Sequence, residues 1–126
     1  MPGSASRKPA ADMRANPIVQ IGVVVADVMA TVRNYSRLFG VGSWVMDDET
    51  VEDAILHGRP MTEHAGWFRA AAANFANFQI EVIQPLWGPG SHVDYLRGRG
   101  EGVHHMSFGL IESYDSTLAA WQARGI

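Results

Sequence analysis

The sequence contains no cysteine. That excludes a disulfide framework and thiolate chemistry, and it leaves His, Asp, Glu and Gln to hold any metal ion. Such an ion is hard or borderline, and the missing cysteines suit a cytoplasmic protein. Long apolar runs are also absent. Even "IGVVVADVMATV" is broken by Asp27, well short of the roughly 18 apolar residues of a membrane span. There is no basic excess, since 10 Lys and Arg stand against 13 Asp and Glu for a net charge of -3. The basic residues are scattered, which argues against nucleic acid or an acidic membrane as a partner. Residues 1–16, "MPGSASRKPAADMRAN", lack the apolar core of a secretory signal and read as a disordered tail.

What remains is an ordinary globular composition, 47% hydrophobic and 18% charged over 126 residues, about one domain. "PIVQIGVVVAD" reads as a largely buried strand whose terminal Asp27 caps a helix. Val28, Val32, Tyr35, Leu38 and Phe39 then recur at helical spacing, and Gly40 stops the helix. "SWVMDDET" is a second strand, and "VEDAILHGRPMTEH" a weakly patterned connection with a turn around residues 58–60. "AGWFRAAAA" and "NFQIEVIQP" read as a hairpin turning near residues 74–77, although alanines alone favour helix, with Pro85 and the pair Pro89 and Gly90 ending it. "SHVDYLRGRG" predicts a short helix capped by Ser91 and stopped at Gly98. "VHHMSFGLIE" predicts a strand, and "SYDSTLAAWQARG" a helix burying Leu118 and Trp121. The predicted order is β-α-β-β-β, short helix, β-α, an α+β fold.

An internal repeat underlies this order. A shift of 85 residues sets Gln20 on His105, Asp27 on Glu112, Gly40 on Gly125 and Val41 on Ile126, so strand, acidic cap, helix and glycine recur in step. On that alignment the chain ends as its second unit would start its second strand. The expectation is that either the chain is a fragment or partner chains complete the sheet, a homodimer being the economical solution.

Strand alternation puts Gln20, Gly22 and Val24 on one face, and likewise His105, Ser107 and Gly109. Glu81 lies between Ile80 and Val82, where a carboxylate needs a partner. If the three strands are neighbours, Gln20, Glu81 and His105 converge, and an amide oxygen, a carboxylate and an imidazole suit a divalent ion such as Zn, Ni, Co, Fe or Mn. Alternation also sends His104 and His105 to opposite faces, and the repeat selects His105. His57, His64 and His92 fall in loop-like or helix-start segments and read as exposed.

The segments "QIGVVVADVMATVRNYSRLFGVGSW", "FQIEVIQPLWGPGSHVDYL" and "GEGVHHMSF" resemble the vicinal oxygen chelate superfamily, also called the glyoxalase, bleomycin resistance and dioxygenase superfamily. The run from "IEVIQP" to "GEGVHHMSF" is most similar to its methylmalonyl-CoA epimerase and glyoxalase-like branch. The resemblance covers residues 17–126. It implies a βαβββ module with a short linker helix over 17–98, followed by the first strand and helix of a second module over 99–126. It implies metal ligands at Gln20, Glu81 and His105, with His104 facing away and a further ligand, usually a Glu on the family's final strand, without a counterpart here. The implied activity is a lyase, isomerase or epimerase reaction on a small carbonyl or acyl compound. In it a metal polarises the carbonyl and stabilises an enolate while a carboxylate moves a proton. Glu49 and Glu63 are candidates for that proton transfer. Trp44, Trp67 and Phe78, with Phe68 and Trp87, would line the substrate pocket. A metal-free protein that sequesters small molecules in the same crevice, or an inactive shortened relative, is the alternative.

Overall fold

Two backbone decisions organise the first half of the chain. β-branched residues hold β1 (Ile18–Val24) extended, and Asp27 accepts a hydrogen bond from the Ala30 backbone N–H at 2.9 Å to start α1 (Val28–Phe39). Gly40 closes α1 in the left-handed conformation, φ 67°, its N–H donating to Ser36 O. The computed structural model describes residues 16–50, 54–61, 66–109, 111 and 113–126. The tail expected over 1–16 lies outside the described residues except for Asn16, and so do Glu63, His64 and Glu112.

The order continues with β2 (Val45–Thr50), β3 (Ile55–Leu56), β4 (Arg59–Pro60), β5 (Trp67–Asn74), β6 (Gln79–Trp87), α2 (Ser91–Arg99), β7 (Gly102–Phe108) and α3 (Tyr114–Gln122). This is the expected α+β arrangement, a βαβββ module with a further strand and helix. Five strands form one sheet in the order β2-β5-β6-β1-β7. β6 runs antiparallel to β5 and parallel to β1, with Gly22 level with Glu81 and Glu81 level with Ala72. The weakly patterned connection contains a small hairpin of β3 and β4. Its two turn residues, His57 and Gly58, both have positive φ, 52° and 75°, the backbone of a tight hairpin turn.

The contacts divide the chain into two compact units. In residues 19–107, α1 packs on one sheet face, where Val25, Val28, Ala71 and Val82 are buried and Val32, Tyr35, Trp44 and Ile80 close around them. Burying an aliphatic side chain of this size stabilises by roughly 1.5–3 kcal/mol. The alanine run is strand because Ala70, Ala71 and Ala73 are buried between β2 and β6, and tertiary burial outweighs helix propensity of a few tenths of a kcal/mol, about 0.7 at most. In the other unit, residues 16–18 and 108–126, Gly109 N–H donates to Pro17 O at 3.0 Å and Ser113 caps α3 by accepting from Ser116 N–H at 3.2 Å.

Four local expectations are corrected. Pro85 does not end β6, which continues to Trp87; Pro85 pairs with Phe68 beside a register irregularity, and the parallel register with β1 reaches only Ile83, so its missing N–H costs nothing. Gly90, not Ser91, occupies the N-cap of α2, without a side-chain cap bond. That helix runs through Gly98 to a stop at Gly100, φ 81°. In α3 the buried residue is Thr117, while Leu118 is 40% exposed, because the helix is turned one residue from the phase that the apolar pattern suggests.

Candidate functional site

The sheet face opposite α1 is built from the alternate residues of each strand. β1 contributes Gln20 and Gly22, β6 contributes Gln79 and Glu81, β5 contributes Phe68, Ala70 and Ala72, and β2 contributes Asp47 and Glu49. Glu81 stands between Ala72 and Gly22, two of the smallest side chains available. A β-carbon at Gly22 would fall on the His105 ring. The ring of His105 therefore lies over β1 at the one position with no side chain, and it reaches Glu81 on the strand beyond.

The resulting geometry is specific. His105 Nε2 lies 3.3 Å from Gln20 Oε1 and 3.8 Å from Glu81 Oε1. Gln20 Nε2 donates to Gln79 Oε1 at 2.7 Å, which turns the Gln20 carbonyl oxygen toward His105, and the Ser107 hydroxyl donates to the same oxygen at 3.4 Å. Burial raises the Glu81 carboxyl above the usual carboxylate range; the His105 charge opposes this and the Glu49 charge adds to it. Ser107 lies on the His105 face as strand alternation predicts, whereas Gln79, which alternates with Glu81, was not singled out from the sequence although period two would have found it.

The two adjacent histidines do not part as strand alternation predicts. His104 Nδ1 lies 2.9 Å from His105 Nδ1, with the rings edge to face at 5.2 Å. Alternation fixes where Cβ points, whereas side-chain rotation brings the near ring nitrogens together. His92, expected to be exposed, is half-buried. Its ring contacts Phe68 at 4.9 Å and His104 at 4.8 Å. Burial, then the charges of His104 and His105, push its pKa down to about 4. The His104 pKa is lowered by burial and by His105, offset in part by a hydrogen bond to the Ser91 backbone. Among the described residues, His92, His104 and His105 form a group able to hold a metal ion, with ligand atoms within 4.8 Å of one another. His57 is exposed and pairs with Asp94 at 3.1 Å.

The aromatic residues expected in a pocket separate. Trp67, Phe68 and Trp87 line a cavity of about 150 Å³ bordered by Ile55, Met61 and His92. Phe78 stacks on Phe75 at 5.1 Å beside an open depression that also contains Gln20, Gln79 and Ser107. Trp44 lines neither. Its indole N–H donates to the Ser36 hydroxyl at 2.9 Å and its ring packs beside Tyr35 in the core.

Among solved structures, a hypothetical protein from Bacillus halodurans C-125 is 20% identical with a TM-score of 0.61, over 89% of this chain and 70% of that one. A variant of Streptomyces coelicolor methylmalonyl-CoA epimerase, in complex with 2-nitronate-propionyl-CoA, is 22% identical with a TM-score of 0.57, over 86% of this chain and 71% of that one. The methylmalonyl-CoA epimerase of Mycobacterium tuberculosis is 18% identical with a TM-score of 0.58, over 86% and 63%. These likenesses establish the fold. No curated protein matches in sequence. Among the described residues, no helix is long and apolar enough to cross a membrane. The family model of the glyoxalase, bleomycin resistance protein and dioxygenase superfamily matches residues 19–126, and the chain belongs to that superfamily.

Proposed function

We propose that the protein is a divalent-metal-dependent enzyme that moves a proton next to the carbonyl of a small carbonyl or acyl compound, with Gln20, Glu81 and His105 as metal ligands. The observation that carries this reading is the convergence of His105 Nε2, Gln20 Oε1 and Glu81 Oε1 over Gly22. Two ligand atoms bonded at about 2.1 Å to one tetrahedral ion lie about 3.4 Å apart. The 3.3 Å and 3.8 Å separations are of that size, and both exceed the roughly 2.9–3.0 Å of a direct hydrogen bond. The donor set fits a divalent ion, one neutral nitrogen with one neutral and one anionic oxygen, and leaves room for substrate.

When bound, the ion would polarise a carbonyl oxygen and so acidify the adjacent C–H. The chain supplies the rest. Gln79 holds the Gln20 oxygen in position, Gly22 makes room for the His105 ring beside Glu81, and Ala72 flanks Glu81 on its other side. The cavity beside Trp67, Phe68 and Trp87 holds roughly five water volumes, enough for a short acyl group. Glu49 is the proposed base. It is exposed, projects from the same sheet face and is near enough for its charge to raise the Glu81 pKa.

Glu49→Gln is expected to slow deuterium exchange at the α-carbon of methylmalonyl-CoA in D₂O by roughly 10²–10⁴-fold while leaving metal uptake unchanged. Exchange that is absent from the metal-loaded unaltered protein, or equal in the variant, would refute this assignment. Quenching of tryptophan fluorescence by a small apolar ligand that survives chelator treatment would favour the metal-free binding reading instead.

We also propose that two copies associate along β7. This strand ends the sheet among the described residues, and Val103 and Met106 on it are 58% and 54% exposed, an edge that soluble proteins cover. Sedimentation is expected to give a dimer at micromolar concentration, and a 13.8 kDa species alone would sink the idea.

A further inference from the structure

His105 has two ring nitrogens, and only Nε2 faces Gln20 and Glu81; a ring serving an ion at each nitrogen would do so as a bridging imidazolate, its N–H proton released to solvent. We propose that His92, His104 and His105 form a second metal-binding site, made of three imidazoles and selective for a borderline ion such as Zn²⁺ or Cu²⁺ over Mg²⁺ or Ca²⁺. Nitrogen donors without a carboxylate favour such ions. The argument rests on the geometry of the three rings and stands independently of the catalytic reading.

His92 lies in the first turn of α2, and His104 and His105 are neighbours on β7, so tertiary packing brings the third ring to the pair. Their ligating atoms lie within 4.8 Å of one another, and the closest pair, both Nδ1, is separated by 2.9 Å. Around an ion with bonds of about 2.1 Å, nitrogens stand about 3.0–4.2 Å apart, so modest ring rotations convert the observed cluster into a three-nitrogen cap. The rings are held by their surroundings. Phe68 meets His92 edge on at 4.9 Å, and Tyr95 meets His104 at 5.4 Å and 82°. Tyr95 is in turn anchored by donating its hydroxyl to Val103 O at 2.8 Å. Such supporting contacts orient ligands in metal centres. His92 also borders the 150 Å³ cavity. A three-histidine ion carries an open coordination position, and a small anion or water entering that cavity is the ligand class it would take.

The test is zinc titration by calorimetry of the full chain carrying Gln20→Ala and Glu81→Ala, which removes the oxygen ligands of the catalytic reading. One zinc per chain is expected to remain, and adding His92→Asn or His104→Asn is expected to weaken it by about 10–100-fold or more. No zinc uptake by the Gln20→Ala and Glu81→Ala protein, or equal uptake after the histidine changes, would overturn the proposal. The unaltered protein provides a second measurement that does not depend on how variants fold. Zinc is expected to shift the imidazole NMR signals of His92, His104 and His105, whereas shifts confined to His105 would also overturn the proposal. Loss of deuterium exchange in the Glu49 variant bears only on the catalytic reading, so the two can fail separately.

Discussion

His105→Ala is expected to abolish metal uptake and catalysis together, each by at least about 100-fold, with little loss of stability. No other side chain belongs to both groups of candidate ligands, with Nε2 facing Gln20 and Glu81 and Nδ1 facing His104. The side chain is 31% exposed, so truncation leaves an opening to water more than a sealed cavity, and the destabilisation should stay near or below about 1 kcal/mol. The substitution has a second signature. The charge of His105 is what opposes the burial of Glu81, so without it the Glu81 carboxyl should titrate at higher pH. Calorimetric metal titration, deuterium exchange and carboxyl NMR read the three effects. Unchanged metal affinity in His105→Ala would remove the basis of both site assignments.

Gly22→Ala is the second large effect, and its cause is steric. The added methyl group would occupy the place of the His105 ring, and packing gives way at a typical cost of about 1–3 kcal/mol. Either the ring swings off β1, losing Glu81 and Gln20, or the strands move apart. In both cases metal affinity falls while the sheet persists. The mechanism is specific enough for a double-mutant cycle. Combining Gly22→Ala with His105→Ala removes the clash, so the pair should be more stable than the sum of the single changes predicts, by on the order of 1 kcal/mol. Chemical denaturation of the four proteins measures this coupling. Strict additivity would show that His105 does not occupy the space over Gly22.

Much of this arrangement is visible in local pattern. β-branched residues ending in Asp27 predict β1 running into a capped α1, and the same succession 85 residues later predicts β7 and α3. Period-two alternation puts Gln20, Glu81 and His105 on faces that can meet. The resemblance to the superfamily agrees with the family assignment and with the mixed fold. Gly22 appears in the pattern only as a residue sharing a face with Gln20, and its role depends on His105 approaching from a strand far along the chain.

The strands of the main sheet, the three helices, the strand faces and the superfamily are therefore legible in the sequence, because they follow from propensity, spacing and motif over short stretches, whereas the β3 and β4 hairpin is not. That His92 joins His104 and His105 is not visible in local pattern, since it depends on where α2 sits against β7 and β5. The tertiary structure also sent Trp44 to the core, where its N–H meets Ser36, and Trp67 and Trp87 to the cavity. A tryptophan reads the same in sequence whether it lines a pocket or fills a core, and the difference lies in which polar partner the fold places within reach of its N–H.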